Sequence, residues 1–338
     1  MRIGIEISER EIYKIAEILN SNLEREIELE DLLIQALTKN VCSSDIIFLF
    51  LQNLEEMNYI KGKKGSLIVN REIENEDLKN VSKNIIDKIS KLKRLFITPL
   101  EVAKFFQCPR RLFLEKIILA KQYKEERGKT WDGEAIHYSV NIFVKNLANM
   151  QIEQLMEEVA KRSLKKFGKK VTISKDEIID FLERFYELIK KEGFSYILME
   201  KKIESLKTGL IGTPDVVGVK KNEIIPIDIK LGELSERGVK EEHLLQSIGE
   251  SILVEEFFRK KVNFSYLIYF ASKSLVKVKV TNEMKKKFFY YKKGIERMCK
   301  IGKIPEKGRL SNLERRVCLG CHVRPSCENI EMVRRIEY

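Results

Sequence analysis

Asp215 and Asp228 stand in two otherwise apolar runs, GTPDVVGVK and NEIIPIDIKLG, and Lys230 follows the second aspartate by two residues. If the runs form a hairpin turning at Lys221-Asn222, Lys220 faces Glu223. Equal steps outward then set Asp215 directly opposite Asp228, with β-carbons roughly 5 Å apart. Like charges so placed destabilise a sheet, and more so among Val, Ile and Pro than in water. Lys230 projects from the same face as Asp228 and offsets part of the repulsion. Two convergent carboxylates with room for water also make an oxygen-rich pocket suited to Mg²⁺ or Mn²⁺. The competing arrangement is an edge hairpin whose aspartates face solvent.

A second group with chemistry in it is RRVCLGCHVRPSCENI, where Cys318, Cys321 and Cys327 form a C-x2-C-x5-C array; Cys108 lies far upstream in FQCPRRLF. Closely spaced thiols without a disulfide framework favour a metal site. Four thiolates satisfy either tetrahedral zinc or a 4Fe-4S cluster. Cys42 and Cys299 lack close cysteine neighbours and read as core or spare thiols. Of three histidines, His137 sits in a helical stretch after a glycine-bearing turn, a setting in which a lone histidine is more often structural than ligating. His243 reads as helix surface, and His322 as a bystander between cysteines.

The elements that must position these residues follow from periodicity. Residues 1–94 read as a separate helical unit: EREIYKIAEILNSN, ELEDLLIQALTKN and SSDIIFLFLQNLEEMNYI are amphipathic, and KGKKGSLIVNR is a Gly-punctuated basic hairpin. Three helices and a hairpin outline a winged helix, a DNA-binding shape; a helical appendage docked on the main domain has the same outline. LKNVSKNIIDKISKLKR connects this unit to residues 95–338. There Thr98, Pro99 and Glu101 spell a capping box at a helix start. Helical stretches QIEQLMEEVAKRSLKKFG and SKDEIIDFLERFYELIKKEG end on glycine. Strand patterns occur at FSYILMEKKIE, KTGLIGTPDVVGVK and NEIIPIDIKLG, and after a long amphipathic helix at VNFSYLIYFAS and SLVKVKV. This order predicts an α/β domain with a mixed sheet.

The chain has 338 residues, 43% of them hydrophobic, and 63 Lys and Arg against 51 Asp and Glu, a net charge of +12. Such an excess attracts polyanions, with nucleic acid the leading class, although Lys/Glu-rich solvated surfaces produce similar counts. No apolar run reaches bilayer length, and MRIGIEISEREIY lacks the basic-then-apolar layout of a secretory signal; a cytoplasmic protein without membrane contact is expected.

Pro214-Asp215 together with Asp228-Ile229-Lys230 resembles the signature of the PD-(D/E)XK nuclease superfamily, with aspartate at the middle position as an accepted variant. The resemblance implies a restriction-endonuclease-like mixed central sheet flanked by helices. It also implies metal binding by Asp215, Asp228 and the Ile229 carbonyl, with Lys230 orienting the attacking water. The RecB-like branch adds a metal-binding histidine in the helix before the strands, the position of His137, and a Q-x-x-x-Y helix after the lysine, matched by Gln246. The tyrosine position holds Glu250, which puts any aromatic stacking there in doubt.

One upstream cysteine with a C-terminal C-x2-C-x5-C is similar to the iron-sulfur clasp of RecB-like nucleases, implying a 4Fe-4S cluster on Cys108, Cys318, Cys321 and Cys327. The ordered motifs of residues 96–330, without a G-x-x-x-x-G-K-[ST] phosphate loop, resemble the CRISPR-associated exonuclease that is the fourth Cas protein family. That family implies a Mg²⁺- or Mn²⁺-dependent deoxyribonuclease trimming DNA ends in spacer acquisition, with the Cas integrase complex as partner and single-stranded DNA or single-stranded ends as substrate. Residues 1–94 exceed the family's usual length, which also admits a mobile-element or viral relative. A non-catalytic DNA-binding or scaffolding protein with a degenerate nuclease fold is the alternative. Candidate phosphate contacts are Arg110-Arg111, Lys285 to Lys287, Lys292-Lys293 and Arg315-Arg316, with Phe288, Tyr290 and Tyr291 interleaved for stacking.

Overall fold

The computed structural model describes residues 2–3, 8–90, 95–120, 128–221, 223–306 and 318–329. Arg315, Arg316 and Asn222 lie outside them. The N-terminal portion comprises β1 (Arg2–Ile3), α1 (Glu9–Asn20), β2 (Glu26–Glu28), α2 (Leu29–Thr38), α3 (Ser44–Glu56), β3 (Ile60–Lys63), β4 (Ser66–Val69) and α4 (Asn75–Ser90). Ser8 starts α1 with a complete capping box. Strands β2, β4 and β3 form a three-stranded antiparallel sheet in that order, with Glu26–Glu28, just ahead of α2, pairing with the hairpin.

Then follow β5 (Leu95–Phe96), α5 (Pro99–Gln107), α6 (Pro109–Lys116), α7 (Gly128–Asn146), α8 (Ile152–Phe167), α9 (Lys175–Glu192), β6 (Tyr196–Met199), β7 (Ile203–Ser205), β8 (Leu210–Gly212), β9 (Val216–Lys220), β10 (Glu223–Lys230), α10 (Glu241–Phe258), β11 (Phe264–Tyr269), β12 (Ser274–Lys279) and α11 (Asn282–Ile301). The Thr98 hydroxyl accepts from Glu101 N at 3.1 Å and the Glu101 carboxylate accepts from Thr98 N at 2.9 Å, as the capping-box sequence predicts. The helix opened by this cap ends at Gln107; Cys108 is extended, and Pro109 then opens α6.

The central sheet has the order β12-β11-β10-β9-β6, parallel between β10 and β11 and antiparallel elsewhere, as the mixed-sheet expectation requires. Alternation along the strands divides the core in two. Val217, Val219, Ile224, Leu267 and Tyr269 belong to a cluster shared with α5, α10 and α11, whereas Val216, Ile225, Ile227, Ile229, Tyr266 and Ile268 join the cluster of α7, α8 and α9. Two expected strands are each split. Glu200, with φ 48°, turns the chain between β6 and β7, and Pro214, which has no N–H to donate, separates β8 from β9. Strands β7 and β8 pair with each other outside the main sheet.

The first cluster also contains the α1–α4 side chains, so one apolar core spans both portions of the chain. Polar contacts fasten the junction. Glu204 N donates to Cys42 O at 2.9 Å, Leu206 N to Asp45 Oδ2 at 2.8 Å, and Arg259 pairs with Asp45 at 2.7 Å. Helix α10 packs against α2 and α3 as well as against β10 and β11. Among the described residues no helix is long and apolar enough to cross a membrane.

Gly218, central in β9, leaves room for the Phe194 ring: a Cβ there would lie 2.4 Å from the ring edge. Gly218→Ala is therefore expected to cost about 1–3 kcal/mol through overpacking. Urea denaturation measures it; an unchanged midpoint would show that the ring relaxes freely.

Candidate active site

The β9–β10 register runs Glu223↔Lys220 through Ile227↔Val216, and one further step brings Asp215, just before β9, beside Asp228. Both residues continue the face of Val217, Val219 and Ile224, which looks toward α10. Asp215 Oδ2 accepts from Ile229 N at 2.8 Å, which locks its carboxylate across the strand. Asp228 is 2% exposed, and Lys230 Nζ stands 2.7 Å from its Oδ2. Lys230 also donates to Gln246 Oε1 at 2.8 Å, and Gln246 Nε2 donates to Glu250 Oε1 at 2.9 Å. Glu250 thereby fixes which end of the Gln246 amide faces the lysine. His137, from α7, places Nδ1 3.6 Å from Asp215 Oδ1 and 4.0 Å from Glu200 Oε1.

Electrostatics at this end of the sheet are dominated by burial. Burial and neighbouring Asp215 push Asp228 up to about 7, against the pull of Lys230. Asp215 is raised by burial, partly offset by the Ile229 N–H and Lys230. Glu250 is raised well above the carboxylate range by burial and by Asp228 and Asp215. Burial opposes the Lys230 charge, but Asp228, Glu250 and Asp215 outweigh it and hold the ammonium above its usual range. Burial lowers His137, which favours the neutral imidazole that a metal requires.

A sequence model of the PD-(D/E)XK nuclease superfamily matches residues 97–328, more than two thirds of the chain. The chain belongs to the PD-(D/E)XK nuclease superfamily. Members of the superfamily are usually metal-dependent nucleases using Mg²⁺ or Mn²⁺. No curated protein matches the chain. A solved structure titled "Crystal structure of SSO0001" is similar at 15% identity, covering 71% of this chain and 89% of its own, with a TM-score of 0.32, too low to carry an argument.

The donor set fits the divalent cation that the superfamily implies. Glu250 Oε2 is buried and completes no hydrogen bond, and the buried Asp228 carboxylate has only the Lys230 ammonium at 2.7 Å to offset its charge. Among the described residues no group of three or more His, Cys, Asp or Glu side chains is already drawn together around one point. Asp215 is held by Ile229 N and Asp228 by Lys230, contacts that a cation would have to share or displace.

A consequence for metal-free protein follows from these shifts. An Asp228 raised in the fold above its unfolded value favours the folded state most when protonated. Its contribution is complete below about pH 4 and is lost as pH rises through about 7. The unfolding midpoint in chelator is therefore expected to fall across that interval, while stabilisation by added Mn²⁺ grows. Thermal melts at the two ends of the interval test this; a pH-independent Mn²⁺ effect would contradict it.

Cys108, Cys318, Cys321 and Cys327 line one cavity of about 50 Å³ with Arg111 and Val323. Cys327 Sγ accepts from Arg110 Nε at 3.1 Å and Cys108 Sγ from Arg111 N at 3.4 Å, donors suited to thiolate charge.

Other expectations change. His243, expected at the helix surface, is half-buried, with Nδ1 2.9 Å from Tyr269 Oη; Tyr269 is fully buried and raised to about 12 by burial and Asp228. His322 is no bystander, since Nε2 lies 2.8 Å from Glu115 Oε1. Arg110 is buried and also donates to Pro305 O, and Arg111 pairs with Glu115 at 2.7 Å, so neither side chain is exposed for phosphate. On α11, Lys285, Lys287 and Lys292 pair with Glu255, Glu241 and Glu296, Phe288 is fully buried, and Tyr291 packs edge-on against Phe106. Glu200 and Tyr269 were not singled out from sequence. For Glu200 the available signal was an acid closing the strand that precedes the PD motif.

Proposed function

We propose that the protein is a Mg²⁺- or Mn²⁺-dependent deoxyribonuclease, with Asp215, Asp228, His137 and the Ile229 carbonyl as metal ligands and Lys230 and Gln246 as catalytic residues. The observation that carries this reading is the convergence of Asp215, Asp228 and Lys230 at one end of the sheet, within a chain of nuclease ancestry. The metal, when bound, supplies a polarised phosphoryl oxygen and a water of lowered pKa. Lys230, held between Asp228 and the Gln246 amide, places its ammonium where charge builds on the phosphate. Asp215, fixed by the Ile229 N–H, keeps one carboxylate oxygen toward His137. Cleavage of end-labelled DNA by wild-type protein with Mn²⁺, abolished by chelator, is the expected result; intact DNA under both conditions would remove the reading.

The finer proposal is a cytoplasmic exonuclease trimming DNA ends in CRISPR spacer acquisition, working with the Cas integrase complex. The order of the cysteine, histidine, PD, DxK and triple-cysteine motifs supports it. A 4Fe-4S cluster on the four cysteines belongs to the same proposal. The four cysteines line one cavity, which supports a single group shared by all of them.

For the N-terminal portion, helix–strand–helix–helix–hairpin order supports a winged-helix-like unit. Its charge speaks for docking over DNA reading. Residues 8–90 carry 11 Lys and Arg against 16 Asp and Glu, and residues 91–338 carry 51 against 34. Glu55 and Glu56 are exposed on α3, whose first turn faces the catalytic portion through Asp45.

A further inference from the structure

A groove of about 510 Å³ opens at His137 and Glu200, beside the carboxylate pair. One face of α7 forms its floor: Glu134, His137, Tyr138, Asn141 and Lys145 recur at helical spacing. Lys166 and Phe167, at the end of α8, form a wall.

The chain around that wall reads KKFGKK, residues 165–170, with four exposed lysines in six positions. Among the described residues none of these four, nor Lys145, has a carboxylate partner, in contrast to the paired lysines of α11. A favourable interaction with the α8 carboxyl end accounts for Lys165 and Lys166 only, since Lys169 and Lys170 lie beyond the helix. Aromatic rings lie beneath the cations. Lys166 Nζ is 3.7 Å from the Tyr138 ring centre and Lys170 Nζ 4.3 Å from that of Trp131. Phe167 packs against both rings at 5.8 and 6.4 Å.

Unpaired cations over a braced aromatic surface suit a ligand with phosphates at regular intervals and flat faces between them. A base pair inside a duplex cannot present its face to Tyr138, whereas an unpaired base can. We propose that this groove seats the single-stranded part of a polynucleotide adjoining the catalytic centre, with Lys145, Lys166, Lys169 and Lys170 on phosphates and Tyr138 under a base. The proposal rests on the nuclease reading for the position of the strand, but its binding surface is independently testable.

The test is fluorescence anisotropy in chelator, so that no cleavage is needed, with labelled 20-nucleotide oligothymidylate and with a duplex of equal length. Lys166→Glu/Lys169→Glu/Lys170→Glu is expected to weaken single-strand binding at least tenfold and to reduce the slope of log affinity against log salt by about 2, from roughly 0.7 per phosphate contact. Tyr138→Ala is expected to weaken it about fivefold or more. The corresponding Lys→Gln triple variant, with a melt matching wild type, separates lost contacts from lost folding. In the presence of Mn²⁺, KM for the long strand should rise in the variants. Undiminished binding by both triple variants, or tighter binding of duplex than of single strand, overturns the proposal. If wild type cleaves nothing but the variants lose single-strand binding, the nuclease reading fails and the groove assignment stands.

Discussion

Asp228→Ala is expected to lower Mn²⁺-dependent DNA cleavage by about 10³-fold, equivalent to about 4 kcal/mol of transition-state stabilisation, with DNA binding retained. The carboxylate is buried beside Lys230, and its loss removes the proposed metal ligand and the counter-charge that holds the ammonium in place. Asp228→Asn refines the result. Its shape is kept, so a comparable loss assigns the effect to charge and not to a cavity. Single-turnover cleavage of end-labelled DNA is the measurement. Equal cleavage by wild type and Asp228→Ala would dismiss the carboxylate pair as the reacting centre. Absence of cleavage by either, with tight binding by both, would favour a non-catalytic DNA-binding or scaffolding protein on the same fold.

Cys321→Ser is expected to have the largest effect on stability. If the four thiols hold one cluster, they tie residue 108 to residues 318–327 and close a loop of roughly 210 residues. A cross-link of that span is worth about 5 kcal/mol on chain-entropy grounds. Protein prepared without oxygen should be brown and contain iron and acid-labile sulfide; the variant should lose both and melt well below wild type. Colourless wild-type protein with zinc and no iron would replace the cluster by a zinc site. A variant that melts with wild type would leave the cysteines without a fastening role.

The central hairpin was legible because its register is set locally. A two-residue connection between two apolar runs determines every opposing pair, and the pairing found from Glu223↔Lys220 to Ile227↔Val216 is the one that counting from the turn produces. The capping boxes were legible for the same reason, since Thr98 and Glu101 interact across three residues. What stayed hidden joins residues remote in sequence. Nothing near Lys285 or Lys287 announces that Glu255 and Glu241 neutralise them, so α11 reads as a basic face when taken alone. Likewise His243 meets Tyr269 only because α10 lies over β11. The breaks at Glu200 and Pro214 were missed because apolar periodicity continues across them, although the chain changes sheet at both.

Helix α10 carries Gln246 and Glu250 on its second and third turns and, five turns long, ends where Ser44 Oγ donates to Glu256 O and Arg259 meets Asp45. Whatever loosens the α2–α3 pair therefore tugs on the same rigid rod that aims the Lys230 ammonium. If the chain is the nuclease proposed, removing its first ninety residues strips the packing from one flank of α10 and is expected to lower cleavage together with stability.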